Sequence, residues 1–163
     1  MAIAKPIPAG FHTITPYLTI RGAAAAMAFY TRAFGARETL RLNGPGGAIM
    51  HAEMRIGDSP IMLAEESAAW DAFGPQHFKG TPVTICLYIA DVDVLFQQAV
   101  GAGATVKRPP ADQFYGDRTA SLLDPFGHSW HLATHKEDLT QEQMQRRMDD
   151  WMKQQQAQMQ AQA

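Results

Sequence analysis

Two stretches carry one pattern: Ala23-Ala24-Ala25-Ala26-Met27-Ala28-Phe29-Tyr30, closed by Phe34-Gly35-Ala36, and Val92-Asp93-Val94-Leu95-Phe96, running on to Ala102 and closed by Gly103-Ala104. Ala24, Met27 and Ala28 in the first, and Val92, Leu95 and Phe96 in the second, fall at i, i+3 and i+4, the spacing of a helix with one apolar face. Each run then meets a glycine, the residue best suited to the left-handed turn that ends a helix. A short alternating segment precedes each run, Tyr17-Leu18-Thr19-Ile20 and Val83 to Ile89, and reads as a strand. Three further strands are expected after each helix: Arg37 to Leu42, Ile49 to Ile56 and Pro60 to Glu65, then Thr105 to Lys107, Arg118 to Leu123 and His128 to Thr134. An offset of 68 relates the helices (24 to 92), and one of 69 relates Leu63-Ala64 to Leu132-Ala133. Agreement of element order, helix stripe, glycine stop and last strand predicts a duplicated βαβββ unit.

The segments around this repeat read differently. Residues 67–81 hold Trp70, Phe73, His77 and Phe78 among Gly, Pro and Asp, which suits either a linker pinned on the core or a flap over a pocket. After Thr134, an N-cap region at Asp138-Leu139-Thr140 precedes Met144, Met148, Trp151 and Met152 at helical spacing. An amphipathic C-terminal helix is expected, covered by the domain or by a second subunit, with its Gln-rich end from Gln154 frayed. The predicted class is α+β: a first module over 11–66, a linker over 67–81, a second module over 82–134, and a helix with a tail over 135–163.

Composition narrows the function classes. With 163 residues, 46% of them hydrophobic, the chain can fill one core, and its net charge of −2 leaves no basic stripe for nucleic acid. No apolar run reaches the roughly 20 residues that a membrane span needs. The single Cys86 forms no intrachain disulfide, and Met1 to Pro8 lack the apolar stretch of a secretory leader, so a cytoplasmic protein is expected.

Short motifs set in this frame resemble a known family. Pro16-Tyr17-Leu18, Ala28-Phe29-Tyr30, Phe34-Gly35-Ala36 and the closing Asp124-Pro125-Phe126-Gly127-His128 resemble the vicinal oxygen chelate superfamily, which includes glyoxalase I, bleomycin-resistance proteins, fosfomycin-resistance transferases and extradiol dioxygenases. His51-Ala52-Glu53, Gly57-Asp58, Tyr115-Gly116-Asp117-Arg118 and His135-Lys136-Glu137-Asp138-Leu139 resemble its PhnB-like branch. The resemblance spans about residues 11 to 150. It implies that the two modules curl into a mixed-sheet cup around a small-molecule cavity; a homodimer is expected. It also implies metal-ligand positions at Thr15, Met62, Thr84 and His131, where only His131 is a good ligand. Thr and Met are poor donors for zinc, nickel or iron, so neither a glyoxalase-type metal nor another cofactor is expected.

The site candidates come from strand alternation. His51 and Glu53 share one strand face, with Met50, Ala52 and Met54 on the other, either as an oriented acid/base pair or as a solvated face with Arg55 completing an ion pair. His131 is the expected cavity member of the last strand, with His128 closing the preceding turn. Tyr115 and Arg118 are read as a clamp in which Arg118 takes a carboxylate or phosphate, or as a corner closing on itself through Asp117. Cys86 shares a face with Thr84 and Tyr88 and is expected to be a buried, inert thiol. The expected ligand-binding set is Tyr17, His51, Glu53, Thr84, Tyr115, Arg118 and His131. Three functions stay open: a metal-free small-molecule binder; a lyase, isomerase or dioxygenase-like enzyme using His51 and Glu53 or an unaligned metal site; and an interaction module acting through the C-terminal helix.

Overall fold

The computed structural model describes residues 4–161, so the first three residues of the leader reading and the last two of the tail lie outside it. Strand β1 (Tyr17–Ile20) leads into helix α1 (Ala23–Phe34), followed by β2 (Arg37–Asn43), β3 (Ile49–Ile56) and β4 (Ser59–Glu65). A short helix, α2 (Pro75–Phe78), lies in the linker. The order then repeats as β5 (Thr84–Tyr88), α3 (Val92–Ala102), β6 (Thr105–Asp112), β7 (Asp117–Leu123) and β8 (Ser129–His135), and α4 (Gln141–Ala161) ends the described chain. Each half forms an open four-stranded mixed sheet, ordered β1-β4-β3-β2 and β5-β8-β7-β6. In each, the first strand runs parallel to the last and the other pairs are antiparallel. The fold is α+β, two βαβββ halves of a cup.

The repeat extends to the helix ends. Gly35 and Gly103 close α1 and α3 in the left-handed conformation, as their place in the sequence requires. At the other end, the Glu65 carboxylate accepts from the backbone N–H groups of Gly22 (2.7 Å) and Ala23 (2.8 Å), and the Thr134 hydroxyl accepts from Val92 N–H (2.8 Å). Glu65 and Thr134 are 69 residues apart, so one repeat position on the last strand satisfies the free donors of both helices.

Helices α1 and α3 pack against each other and against the sheet faces that carry Leu18, Ile20, Met54, Leu63, Leu122, Trp130 and Leu132. Helix α1 is buried on more than one side, Phe29, Tyr30 and Phe34 all being inaccessible or nearly so. Tyr30 and Phe34 lie 5.3 Å and 4.5 Å from the Trp130 ring of the other half. Asp124 fixes this joint: one carboxylate oxygen accepts from Tyr30 O–H (2.8 Å) and Trp130 Nε1–H (2.9 Å), and the other from the N–H groups of Phe126 and His128 (both 2.9 Å).

Two expectations change. β6 runs on to Asp112 through Pro109 and Pro110, which an edge strand with an irregular register tolerates. Met50 leaves the Ala52 and Met54 face because the register slips between Leu42 and Asn43, a bulge that buries Ile49 instead. Helix α4 is started by a capping box in which Gln143 N–H donates to the Thr140 hydroxyl and Thr140 N–H to the Gln143 side chain. Its Met and Trp stripe is not covered by the chain itself, since no α4 residue is buried and its aromatic contact is Trp151 on Phe114.

Candidate functional site

The two halves pack through α1 and α3, and the edge strands β1 and β5 flank a cleft of about 660 Å³, within the range usual for small-molecule sites. Tyr17, Leu18 and Thr19 line one side, and Thr84, Ile85 and Cys86 the other. The linker forms a third wall through Phe73, Pro75, Phe78 and the turn at Gly80 to Val83. The linker therefore borders a pocket, while its aromatics are not pinned in the core: Trp70 and Phe78 are exposed, and Phe73 stacks on His77 at 4.1 Å. Gly74 lets this wall approach closely, because a Cβ there would lie 2.8 Å from the Thr19 carbonyl.

Tyr17 connects the cleft to the predicted acid/base pair. Its hydroxyl is hydrogen-bonded to His51 Nδ1 (2.9 Å), and His51 Nε2 lies 3.5 Å from a Glu53 carboxylate oxygen. A carboxylate taking the Nε2 proton leaves Nδ1 to accept from the phenol, so Glu53, His51 and Tyr17 form a chain along which a proton can shift. The 3.5 Å span is long, as such contacts often are in unliganded sites. Arg55 takes no part, since it donates to the carbonyls of Gly10 and Asp58.

Of the predicted second-half residues, Thr84 joins Tyr17 at the cleft, whereas His131 and Tyr115 form a separate group. His131 and Tyr115 line a smaller cavity of about 240 Å³ with Arg108 and Ser121, and the Ser121 hydroxyl meets His131 Nδ1 at 3.2 Å. His131 and Tyr115 do not line the 660 Å³ cleft, and Tyr17 does not line the 240 Å³ cavity. Arg118 joins neither. It projects from the helix side of β7, where Asp93 takes it bidentately (2.6 and 2.8 Å) and Asp112 adds a third bond, which raises its pKa and lowers that of Asp93. A guanidinium so paired is not free to read a ligand anion. The corner closes on itself, Gln113 N–H donating to the Asp117 carbonyl (2.8 Å) and Arg118 to Asp112, while the Asp117 carboxylate accepts from Tyr88 O–H (2.9 Å) and bonds His135 Nδ1 (2.7 Å).

The expected metal positions also move. The residue in register with Met62 is Tyr17, and the one in register with His131 is Cys86. Thr15 precedes β1 and bonds the His12 carbonyl, and Thr84 faces Ser129. Phenol, thioether, thiol and imidazole do not make a matched donor set, and no three His, Cys, Asp or Glu side chains cluster among the described residues. The donors present do not fit a glyoxalase-type metal. Cys86 is exposed rather than buried, and partial desolvation, with Asp117 nearby, raises its pKa, so it remains a thiol at neutral pH.

Sequence reasoning passed over His135, which bridges two carboxylates, Asp117 at Nδ1 and Asp138 at Nε2 (3.0 Å). Both bonds raise its pKa above the ordinary 6.5. Because the folded value exceeds the unfolded one, the stabilising contribution is complete below about pH 6.5 and is lost as the pH rises through the raised value. An NMR titration of the His135 ring is expected to give a midpoint above that of a free imidazole, and Asp117→Asn to lower it. A midpoint at or below the ordinary value would contradict the bridge.

Comparison with known proteins follows from this geometry. A family model described as the glyoxalase/bleomycin resistance protein/dioxygenase superfamily matches residues 10–132. The chain belongs to that superfamily. An uncharacterised protein of Mycobacterium bovis is 39% identical over 138 residues, covering 83% of this chain and 91% of the relative. Among solved structures, TioX from Micromonospora sp. ML1 is similar with a TM-score of 0.60 at 22% identity, over 79% of this chain and all of that one. A PhnB protein from Bacillus cereus is similar with a TM-score of 0.59 at 19% identity, over 76% and 99% of the two chains. At such identities these structures support the superfamily fold alone. No helix among the described residues is long and apolar enough to cross a membrane.

Proposed function

We propose that this superfamily member, of the PhnB-like branch, binds a small organic molecule in the cleft between its two halves without a glyoxalase-type metal. The observation that carries the reading is Tyr17, which lines the 660 Å³ cleft and is hydrogen-bonded to His51. An apolar space with a few convergent polar groups is what recognition of a small molecule requires. His131 and Tyr115 contribute from a second copy in this reading, since the chain alone does not bring them to the cleft. The exposed Leu40, Leu42, Met50 and Tyr88 favour a homodimer. A cytoplasmic location accompanies this proposal.

A thermal-shift screen of metabolite-like compounds should find a binder, and calorimetry on His51→Ala should show its affinity reduced about tenfold or more, the loss expected from removing a polar anchor. Stability should change by about 1 kcal/mol or less, as usual for a strand residue outside the core. Unchanged affinity would remove His51 from the site. Stoichiometric zinc, nickel or iron in protein purified without chelator would overturn the metal-free reading, and a monomeric mass in solution would overturn the dimer.

A second reading rests on both His51 nitrogens being engaged, the arrangement of an oriented acid/base. In that case Tyr17→Phe abolishes turnover while binding persists. Equal loss of both would return Tyr17 to a binding role.

A further inference from the structure

The two sheets carry one row of equivalent positions with different chemistry. Register sets Leu40 opposite Glu53 and Glu53 opposite Met62 in the first half, and Arg108 opposite Ser121 and Ser121 opposite His131 in the second. The repeat relates these residues in order (40 to 108, 53 to 121, 62 to 131), so the second half holds a guanidinium in place of an aliphatic chain and a hydroxyl in place of a carboxylate. Arg108, Ser121 and His131 line the cavity of about 240 Å³ together with Tyr115 and Thr119. Ala120 and Leu122 are buried in the core, and strand alternation turns Thr119 and Ser121 the other way, into the cavity. The register of β6 shifts on both sides of Arg108, an irregularity of the kind that re-aims an edge-strand side chain. No Asp or Glu borders this cavity, and Arg108 forms no salt bridge among the described residues, whereas Arg118 is held by Asp93 and Asp112. Ser121 and His131, bonded at 3.2 Å, keep a donor for a ligand in either arrangement. If the hydroxyl donates, the neutral ring carries its proton on Nε2; if Nδ1–H donates, the hydroxyl proton is free.

We propose that the second half carries an anion site of its own, in which the 240 Å³ cavity takes the carboxylate or phosphate group of a small molecule, paired by Arg108 and hydrogen-bonded by Ser121, Thr119 and His131. A guanidinium presents two N–H groups at the spacing of two oxyanion oxygens, and no acid in the wall competes for it. The inference goes beyond the reading of the cleft and does not depend on it. No Lys or Arg lines the 660 Å³ cleft, and every residue of the anion site belongs to one half of one chain. The matching row of the first half, with Glu53 in place of Ser121, would repel the same group.

The test is an NMR titration of the full chain with three probes at matched ionic strength: benzoate, inorganic phosphate, and benzamide, which keeps the shape of benzoate without its charge. The arginine Nε–H and histidine ring ¹⁵N resonances report where each probe sits. The expected result is saturable movement of the Arg108 and His131 resonances with benzoate, with phosphate or with both, while those of Arg118 and of the Tyr17 amide stay fixed. The tighter of the two anions names the head group, and benzamide should need a concentration at least about tenfold higher. Arg108→Leu, which installs the residue of the equivalent first-half position, should raise the dissociation constant of the anion about tenfold or more and leave the unfolding midpoint nearly unchanged, because Arg108 is exposed. Arg108→Lys keeps the charge without the fork and should restore only part of the affinity. An anion response no stronger than that of benzamide overturns the anionic head group. No saturable shift with either anion, or equal affinity in Arg108→Leu, overturns the site and leaves the reading of the cleft untouched. Movement of Tyr17 in place of Arg108 puts the anion in the cleft and overturns the assigned location.

Discussion

Asp124→Ala should destabilise the protein by about 3–5 kcal/mol, because it strands several donors at once in a place that water does not reach. The Tyr30 hydroxyl and the Trp130 indole N–H both end on one oxygen of this carboxylate, and all three residues are essentially inaccessible. Each buried donor left without a partner costs about 1–3 kcal/mol. The backbone N–H groups of Phe126 and His128 lose their carboxylate acceptor as well, so the turn that starts β8 loosens. For a chain of this length the melting temperature should fall by roughly 6–20 °C. Asp124→Asn is not a neutral control, since its amide nitrogen must face a donor, and it should lose a substantial part of the same stability. Denaturant unfolding checks the claim: a loss below about 1 kcal/mol for Asp124→Ala would mean that the two halves are joined by something else.

Trp130→Ala should cost a similar amount, about 3–5 kcal/mol, by a different route. The ring is fully buried against Tyr30 and Phe34, and α1 and α3 are too closely packed on each other to collapse into the space it leaves. Trp130→Phe separates the contributions, since it keeps most of the packing and removes only the indole N–H. Combined with Asp124→Ala, it should destabilise less than the sum of the two single changes, by about 0.5–3 kcal/mol, the coupling usual for residues that share a bond. Strict additivity would show that the indole and the carboxylate do not interact in solution.

These two residues mark where sequence reading succeeds and where it stops. Asp124-Pro125-Phe126-Gly127-His128 was legible as a motif and as a turn, because its shape is local. Its role in joining the halves was not, because Tyr30 lies 94 residues away and nothing in spacing encodes that approach. The helices and their glycine stops were legible for the converse reason, since periodicity and caps act within one or two turns. Side-chain direction was readable wherever strands alternate without interruption. It failed at Met50, where a bulge shifts the register, and at Arg118, whose carboxylate partners on α3 and β6 lie outside its own strand. His51 and Glu53 were found as a pair two residues apart. Tyr17 was placed in the site, but its bond to His51 depends on β1 pairing in parallel with β4, a contact of the folded sheet. His128 was read as a turn residue, and its unpartnered nitrogen is a property of burial that the sequence does not carry.

The far side of α1 has a consequence for synthesis of the chain. Phe34 and Tyr30 leave the ribosome long before Trp130 and Asp124, which cover and satisfy them. At about 5–20 residues per second, an interval of 94 residues holds the first half incomplete for roughly 5–20 s, long against the microseconds in which a helix or hairpin forms. During that interval the nascent first half presents an aromatic surface suited to a chaperone, or to the same half of a neighbouring chain on the polysome. Slow translation of residues 67–81 would lengthen the exposure, and a gene cut there would yield two fragments, each soluble only when the other is made.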